Sequence, residues 1–235
     1  MSKNKLAKFA ETAEFENVVQ PEAEFGIENF VFKGDWCNQQ FSNNNHLVLE
    51  LGCGRGEYTV ALAAQNHQIN YIGIDIKGAR IWKGAKQALN NNIKNAAFLR
   101  TRIDMIDAFF GKNEVDELWI TFPDPQPKKQ NKRLTSAFFL NKYSQFLKAG
   151  GFVNLKTDSQ LLYYYTMELL KANNIEPIVS FNDVYSQPEI DKILNVKTYY
   201  ENLFLNQGKK ITYIKFAIPE NKQFTEIPKF VFDGN

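Results

Sequence analysis

The stretch Leu47-Val48-Leu49-Glu50-Leu51-Gly52-Cys53-Gly54-Arg55-Gly56-Glu57-Tyr58 decides how the rest of the chain is read. Its short apolar run reads as a buried parallel strand. Three glycines follow at alternate positions, and a helical pattern then begins through Tyr58, Ala61, Leu62 and Gln65. Strand, glycine turn and helix start together form a nucleotide-type cofactor site, because glycine lets backbone approach a ligand and a helix N-terminus offers unpaired N–H groups. A dinucleotide fingerprint requires G-x-G-x-x-G, whereas here the third glycine comes one residue early. Glu50 also sits inside the strand, where a carboxylate would repel a pyrophosphate but suits a cofactor carrying positive charge. A tight turn with only a packing role is the alternative.

Composition sets wide bounds. The 235 residues are 44% hydrophobic and 23% charged with a net charge of +2, ordinary for a globular α/β domain. Global charge therefore announces no nucleic-acid partner, and such a partner would have to meet a local patch. Cys37 and Cys53 are the two cysteines, and their spacing suggests neither a disulfide framework nor a metal site. The start, Met1-Ser2-Lys3-Asn4-Lys5, lacks an apolar leader, and no run of about 18 apolar residues occurs. These features predict a reduced, cytoplasmic protein that neither spans a membrane nor binds a metal.

Taken in order, residues 1–45 read as an N-terminal extension with a weak helical pattern from Lys3 to Glu16, ended by Pro21, and are either folded onto the core or a partly mobile arm. Strands are predicted at 47–51, 70–75, 96–100, 116–121 and 151–157, with helices between them. Later strands are expected at 178–181 and 210–217. The expectation is a Rossmann-like, mostly parallel seven-stranded sheet with helices on both faces and an antiparallel edge hairpin, over residues 46–220, followed by a tail at 221–235. Asp75 ends the second strand 23 residues after Gly52, near the spacing at which an acid meets ribose hydroxyls in such folds, although it would also serve as a helix cap. In the next helix Lys77, Arg80, Lys83 and Lys86 form a broad basic side, either solvated or part of a phosphate-binding surface.

The most informative loop is Phe122-Pro123-Asp124-Pro125-Gln126-Pro127-Lys128-Lys129-Gln130-Asn131-Lys132-Arg133. Its three prolines stiffen it. They hold Asp124 in one pose beside four cations, Lys128, Lys129, Lys132 and Arg133. A rigid acid next to a basic cluster suits a substrate that joins a nucleobase to a phosphate backbone. In an open parallel sheet this loop, the glycine turn, Asp75 and Asp158 are expected to converge beyond the strand ends.

The E-x-G-x-G-x-G pattern resembles the first motif of S-adenosylmethionine (SAM) dependent methyltransferases, whose cofactor has an ammonium and a sulfonium but no phosphate. The whole set is more specific. Glu50–Gly54, Tyr71-Ile72-Gly73-Ile74-Asp75, Phe122 to Lys129, Asn131-Lys132-Arg133-Leu134, Lys156-Thr157-Asp158 and Thr198-Tyr199-Tyr200-Glu201 are collinear. Together they resemble the bacterial tRNA (guanine-N7)-methyltransferase family, which makes 7-methylguanosine in the tRNA variable loop, at position 46 in tRNA numbering. The resemblance implies that Glu50, Gly52, Gly54, Asp75 and Asp124 contact SAM, with Asp124 also the catalytic aspartate. It implies that Lys128, Asp158, Thr198, Tyr199, Tyr200 and Glu201 contact tRNA, in a monomer or homodimer. The family's adenine-facing acid or amide corresponds here to Arg102, with Asp104 nearby, and Gln126 stands where an aromatic residue is usual.

Guanine N7 has a lone pair and no proton to lose, so the attack needs no general base. Positioning should supply much of the rate. Asp124 is expected to accept hydrogen bonds from guanine N1–H and the N2 amine, a donor pair that adenine lacks. Rival readings are a nicotinamide-dependent dehydrogenase, a methyltransferase acting on small molecules or proteins, another RNA methyltransferase, and a non-catalytic RNA-binding module. The early third glycine and Glu50 argue against the first, and the basic loop against the second. The last would have no need for Glu50, Asp75 and Asp124 together.

Overall fold

The computed structural model describes residues 3–21 and 30–232. Met1, Ser2 and residues 22–29 of the extension, and the last three residues of the tail, lie outside the described residues. The chain divides into two compact units, 1–116 and 117–235, and each is taken by itself.

The first unit runs α1 (Lys3–Ala13), β1 (Val18–Val19), α2 (Trp36–Phe41), β2 (His46–Leu51), α3 (Glu57–Gln65), β3 (Ile69–Asp75), α4 (Gly78–Asn90) and β4 (Ala96–Arg100), then a 3-10 turn at Ile103–Ala108. Its strands lie in the order β1-β4-β3-β2, all parallel. Strand β2 is buried from Leu47 to Leu51, as its unbroken apolar run predicts for a strand covered on both sides. The register sets Glu50 opposite Gly73 and Asp75 opposite Arg100, so the glycine turn and the end of β3 leave the same edge.

Of the two expectations for the extension, the described part is folded onto the core. Val18 and Val19 add a parallel strand to β4, which brings the strands to eight among the described residues rather than the seven expected. Trp36 is fully buried, and its indole N–H donates to the Phe109 carbonyl at 2.9 Å. On α1, Glu11 accepts from the Trp82 indole at 2.7 Å and pairs with Lys86 at 2.5 Å.

Helix α4 packs closely on the turn at Arg55 and Gly56, just before α3, because glycine stands at the contact. A Cβ on Gly84 would lie 2.6 Å from the Arg55 carbonyl oxygen and 2.9 Å from the Gly56 Cα. Backbone cannot give way as a side-chain tip can. Gly84→Ala should therefore destabilise the protein by about 1–3 kcal/mol, the usual cost of overpacking. Denaturant unfolding measures it, and an unchanged midpoint would show that α4 and this turn can separate freely.

Strand β5 (Val115–Thr121) leads into the second unit. There follow α5 (Ala137–Tyr143), β6 (Leu147–Thr157), α6 (Gln160–Ala172), β7 (Val179–Phe181), α7 (Tyr199–Asn206) and β8 (Thr212–Ala217). The strand order is β5-β6-β8-β7, with β8 antiparallel to both β6 and β7, which is the antiparallel edge predicted from the two late strands. The segment beyond residue 220 is fastened by paired side-chain-to-backbone bonds. Asn141 clasps the N–H and C=O of Phe224 at 2.7 and 2.9 Å, and Asn173 clasps those of Thr225 at 2.8 and 2.9 Å. Among the described residues no helix is long and apolar enough to cross a membrane.

Candidate active site

The glycine turn separates into two functions. Gly52 and Gly54 have φ of +75° and +55°, and a Cβ on either would find its nearest neighbour only at 4.0 Å. These positions face open space that a ligand can enter. Gly56 is different, since at φ +67° its Cβ would strike the Phe98 ring at 2.5 Å. The packing reading thus applies to the third glycine, while the first two leave room for a ligand. The turn is held by the Gly52 and Cys53 N–H groups, which both donate to the Ile74 carbonyl at 2.8 and 3.0 Å.

Two carboxylates flank this turn. Asp75 accepts from the Gly54 N–H at 3.0 Å and from the Lys77 N–H at 2.8 Å, so it ties the glycine turn to the short turn that leads into α4. A carboxylate can accept about four hydrogen bonds, which leaves room for a ribose diol. Glu50 is 5% exposed, and its Oε2 accepts from both the Thr59 N–H at 2.9 Å and the Thr59 hydroxyl. Their joint field is felt at Cys53, where burial pushes the thiol well up and Glu50 and Asp75 push it further. A site with this sign of charge, bordered by open glycines, fits a cationic ligand and not a pyrophosphate. Ile76, 51% exposed directly after Asp75, adds an apolar surface that the sequence reading missed. An apolar residue just past the acid was the available signal.

Arg102 and Asp104 form one exposed pair, with the guanidinium donating to both carboxylate oxygens. The basic side of α4 is partly neutralised, since Lys83 pairs with Glu57 at 3.1 Å and Lys86 with Glu11 at 2.5 Å. That face is therefore better read as solvated and docked than as a phosphate surface.

In the second unit, the loop after β5 holds Asp124 out to solvent on a stiff frame. Phe122 has φ 48° and Gln126 φ 45°, a region costly for side-chain-bearing residues. The Phe122 N–H donates to the Lys156 carbonyl at 2.8 Å. Asp124 Oδ1 accepts from the Gln126 N–H at 2.9 Å, a local turn that fixes the side chain. Arg133 then holds the far side, its Nε donating to the Pro125 carbonyl at 3.2 Å. This corrects the expected role of Arg133 as a phosphate ligand. It is 1% exposed, stacked 4.3 Å over the Tyr165 ring, and burial lowers its proton affinity against the opposing pull of Tyr165 and Glu226. Lys128, Lys129 and Lys132 remain exposed.

The stretch Thr198–Glu201 divides as the turn does. The Thr198 hydroxyl caps α7 by accepting from the Glu201 N–H at 3.2 Å. Tyr199 and Tyr200 present rings that are 54% and 45% exposed. Glu201 faces inward, fully buried, pairing with the equally buried Lys156 at 2.7 Å and accepting from the Tyr185 hydroxyl at 2.6 Å. Lys156 also donates to the Leu194 and Val196 carbonyls at 2.8 and 3.1 Å. Burial pushes the Lys156 ammonium below the ordinary lysine range while Glu201 pulls it back. Asp158 pairs with Lys209 at 2.6 Å.

The profile of a family described as "Putative methyltransferase" matches residues 44–214. A tRNA (guanine-N(7)-)-methyltransferase of Bacteroides fragilis (strain YCH46) is 46% identical over 227 residues, covering 96% of this chain and 90% of the relative. One of Christiangramia forsetii is 50% identical over 221 residues, covering 92% and 99%. The chain belongs to the tRNA (guanine-N(7)-)-methyltransferase family. Its fold is also that of solved methyltransferases. The 16S rRNA methyltransferase KamB matches with TM-score 0.61 at 13% identity, covering 80% of this chain and 94% of that one. A variant of the 16S rRNA (adenine(1408)-N(1))-methyltransferase from Catenulisporales acidiphilia, solved with cosubstrate SAM, matches with TM-score 0.54 at 12% identity, covering 80% and 92%. Membership makes this a methyltransferase, and the fold is the class I, Rossmann-like one.

Proposed function

We propose that this protein transfers a methyl group from SAM to N7 of a guanine in tRNA, the variable-loop guanine at position 46. The observation that carries the reading is 46–50% identity over nearly the whole chain to relatives named tRNA (guanine-N(7)-)-methyltransferase. On this reading Gly52, Gly54 and Asp75 hold the cofactor, Glu50 supplies negative charge beneath it, and Arg102, paired to Asp104, borders the adenine. Bound there, SAM supplies an electrophilic methyl group on a positively charged sulfur. The chain's part is then to grip and orient the guanine.

Asp124 does this by accepting from guanine N1–H and the N2 amine. The contact selects guanine over adenine, which would leave the acceptor unpaired. The same carboxylate stabilises the positive charge that the base acquires. No general base is needed, and the two histidines, His46 and His67, lie outside these loops. Tyr199 and Tyr200 offer stacking surfaces for unpaired nucleotides, worth about 1–3 kcal/mol per base. Asp158 and Thr198 meet base or ribose donors, while Glu201 acts from beneath by holding α7. Gln126 offers amide hydrogen bonds in place of aromatic stacking.

The phosphates fall to Lys128, Lys129 and Lys132. Affinity for tRNA should drop steeply with salt, and Lys128→Ala with Lys132→Ala should flatten the log–log slope by about 1–2. Filter binding across a salt series measures this, and an unchanged slope would remove the patch from the account. The reading as a whole is tested by incubating unmodified tRNA with methyl-labelled SAM and separating the nucleosides. Label in 7-methylguanosine supports it. Label in another nucleoside would favour a different RNA methyltransferase, and SAM binding without transfer a non-catalytic module.

A further inference from the structure

We propose that the C-terminal segment, through Glu226 and its contact with Gln130, is a positioning strap that sets the pose of the Asp124 loop. The segment lies beyond the last strand and beyond the family match, which ends at residue 214. Glu226 nonetheless gathers three donors from separate elements. It accepts from the Tyr165 hydroxyl of α6 at 2.8 Å, from the Gln130 side chain at 3.0 Å, and from the Ala137 N–H at the start of α5 at 3.1 Å. Gln130 is gripped at both ends of its amide. Its NH2 also donates to the Ile227 carbonyl at 2.9 Å, and its oxygen accepts from the Phe230 N–H at 2.8 Å.

From there the connection reaches Asp124 in short steps. Tyr165, fixed by Glu226, is the surface on which the Arg133 guanidinium lies, and Glu226 attracts Arg133 electrostatically. Arg133 in turn holds the Pro125 carbonyl, next to Asp124. The Arg133 N–H donates to the Gln130 carbonyl at 3.0 Å, so both ends of the strap close on one short turn. Removing the carboxylate leaves Tyr165, Gln130 and Ala137 without their shared acceptor and Arg133 without its counter-charge. A buried cation in that state moves or draws in water, and the carbonyl it holds moves with it. Glu226 is thus a positioning residue, not a catalytic one. The kinetic part of this inference rests on the proposed role of Asp124, but the structural part does not.

The test uses the full chain with Glu226→Ala and, separately, Gln130→Ala, which keeps Glu226 on Tyr165 and Ala137 should the first variant fold poorly. Two readouts are taken well below each variant's melting temperature. One is hydrogen exchange at the loop amides Gln126, Lys129, Lys132 and Arg133, and the other is kcat for tRNA methylation alongside SAM affinity. The expected result is about tenfold faster exchange at these amides, with kcat reduced about 10- to 100-fold, the scale of a misplaced catalytic group, and SAM affinity unchanged. Unchanged exchange in both variants overturns the strap, whatever happens to activity. Faster exchange with full activity upholds the strap and overturns the role given to Asp124.

Discussion

Asp124→Asn lowers kcat for tRNA methylation about 100- to 1000-fold, the scale on which a single charge-stabilising group is lost from a preorganised site, while SAM affinity changes little. The substitution isolates the charge. The carboxamide oxygen can still accept from the Gln126 N–H, and the frame provided by Phe122 at φ 48° and by Arg133 on the Pro125 carbonyl is untouched. What is lost is one of the two acceptor oxygens and the negative charge that faces a base becoming cationic. The new NH2 would also meet a guanine donor head-on. Steady-state kinetics with calorimetry for SAM measures the two quantities in parallel, and near-full turnover would remove Asp124 from the centre of the mechanism.

Glu201→Ala has the largest expected effect on stability. Lys156 and Glu201 are both fully buried and 2.7 Å apart, with Tyr185 on the same carboxylate. Deleting one partner leaves a buried ammonium without its carboxylate, beside the Leu194 and Val196 carbonyls. Breaking such a pair costs about 3–5 kcal/mol, whereas replacing both partners by apolar residues of similar volume can be neutral. Lys156→Met combined with Glu201→Leu should therefore recover much of the loss. The Thr198 cap is made to the backbone N–H of residue 201 and is kept in both variants. Denaturant melts of the single and double variants measure the coupling. Additive losses would mean that the pair contributes little as a unit.

What could be read in the sequence was set by neighbours along the chain. The run Leu47–Tyr58 contains its strand, turn and helix start within twelve residues, so local pattern is enough to place the glycine turn. The proline-framed Asp124 was legible for the same reason. Direction was not. Arg133 reads as the fourth cation of a basic run, and only Tyr165 and Glu226, remote in sequence, turn it inward. The resemblance places Glu201 against tRNA, whereas it is buried on Lys156. A charged residue inside the buried stretch Val153–Thr157 was a visible hint of that partner. Strand β1 has two residues, too few to show any period. The segment after residue 220 carries no motif, because its role lies in what it fastens.

The most direct measurement of the central claim is chemical cleavage at 7-methylguanosine. Unmodified tRNA would be incubated with SAM and either the native protein or Asp124→Asn, then cleaved and mapped by sequencing. The account predicts a single cut in the variable loop, at position 46, with the native protein and almost none with the variant. A cut elsewhere, no cut, or an equal cut with both proteins would contradict it.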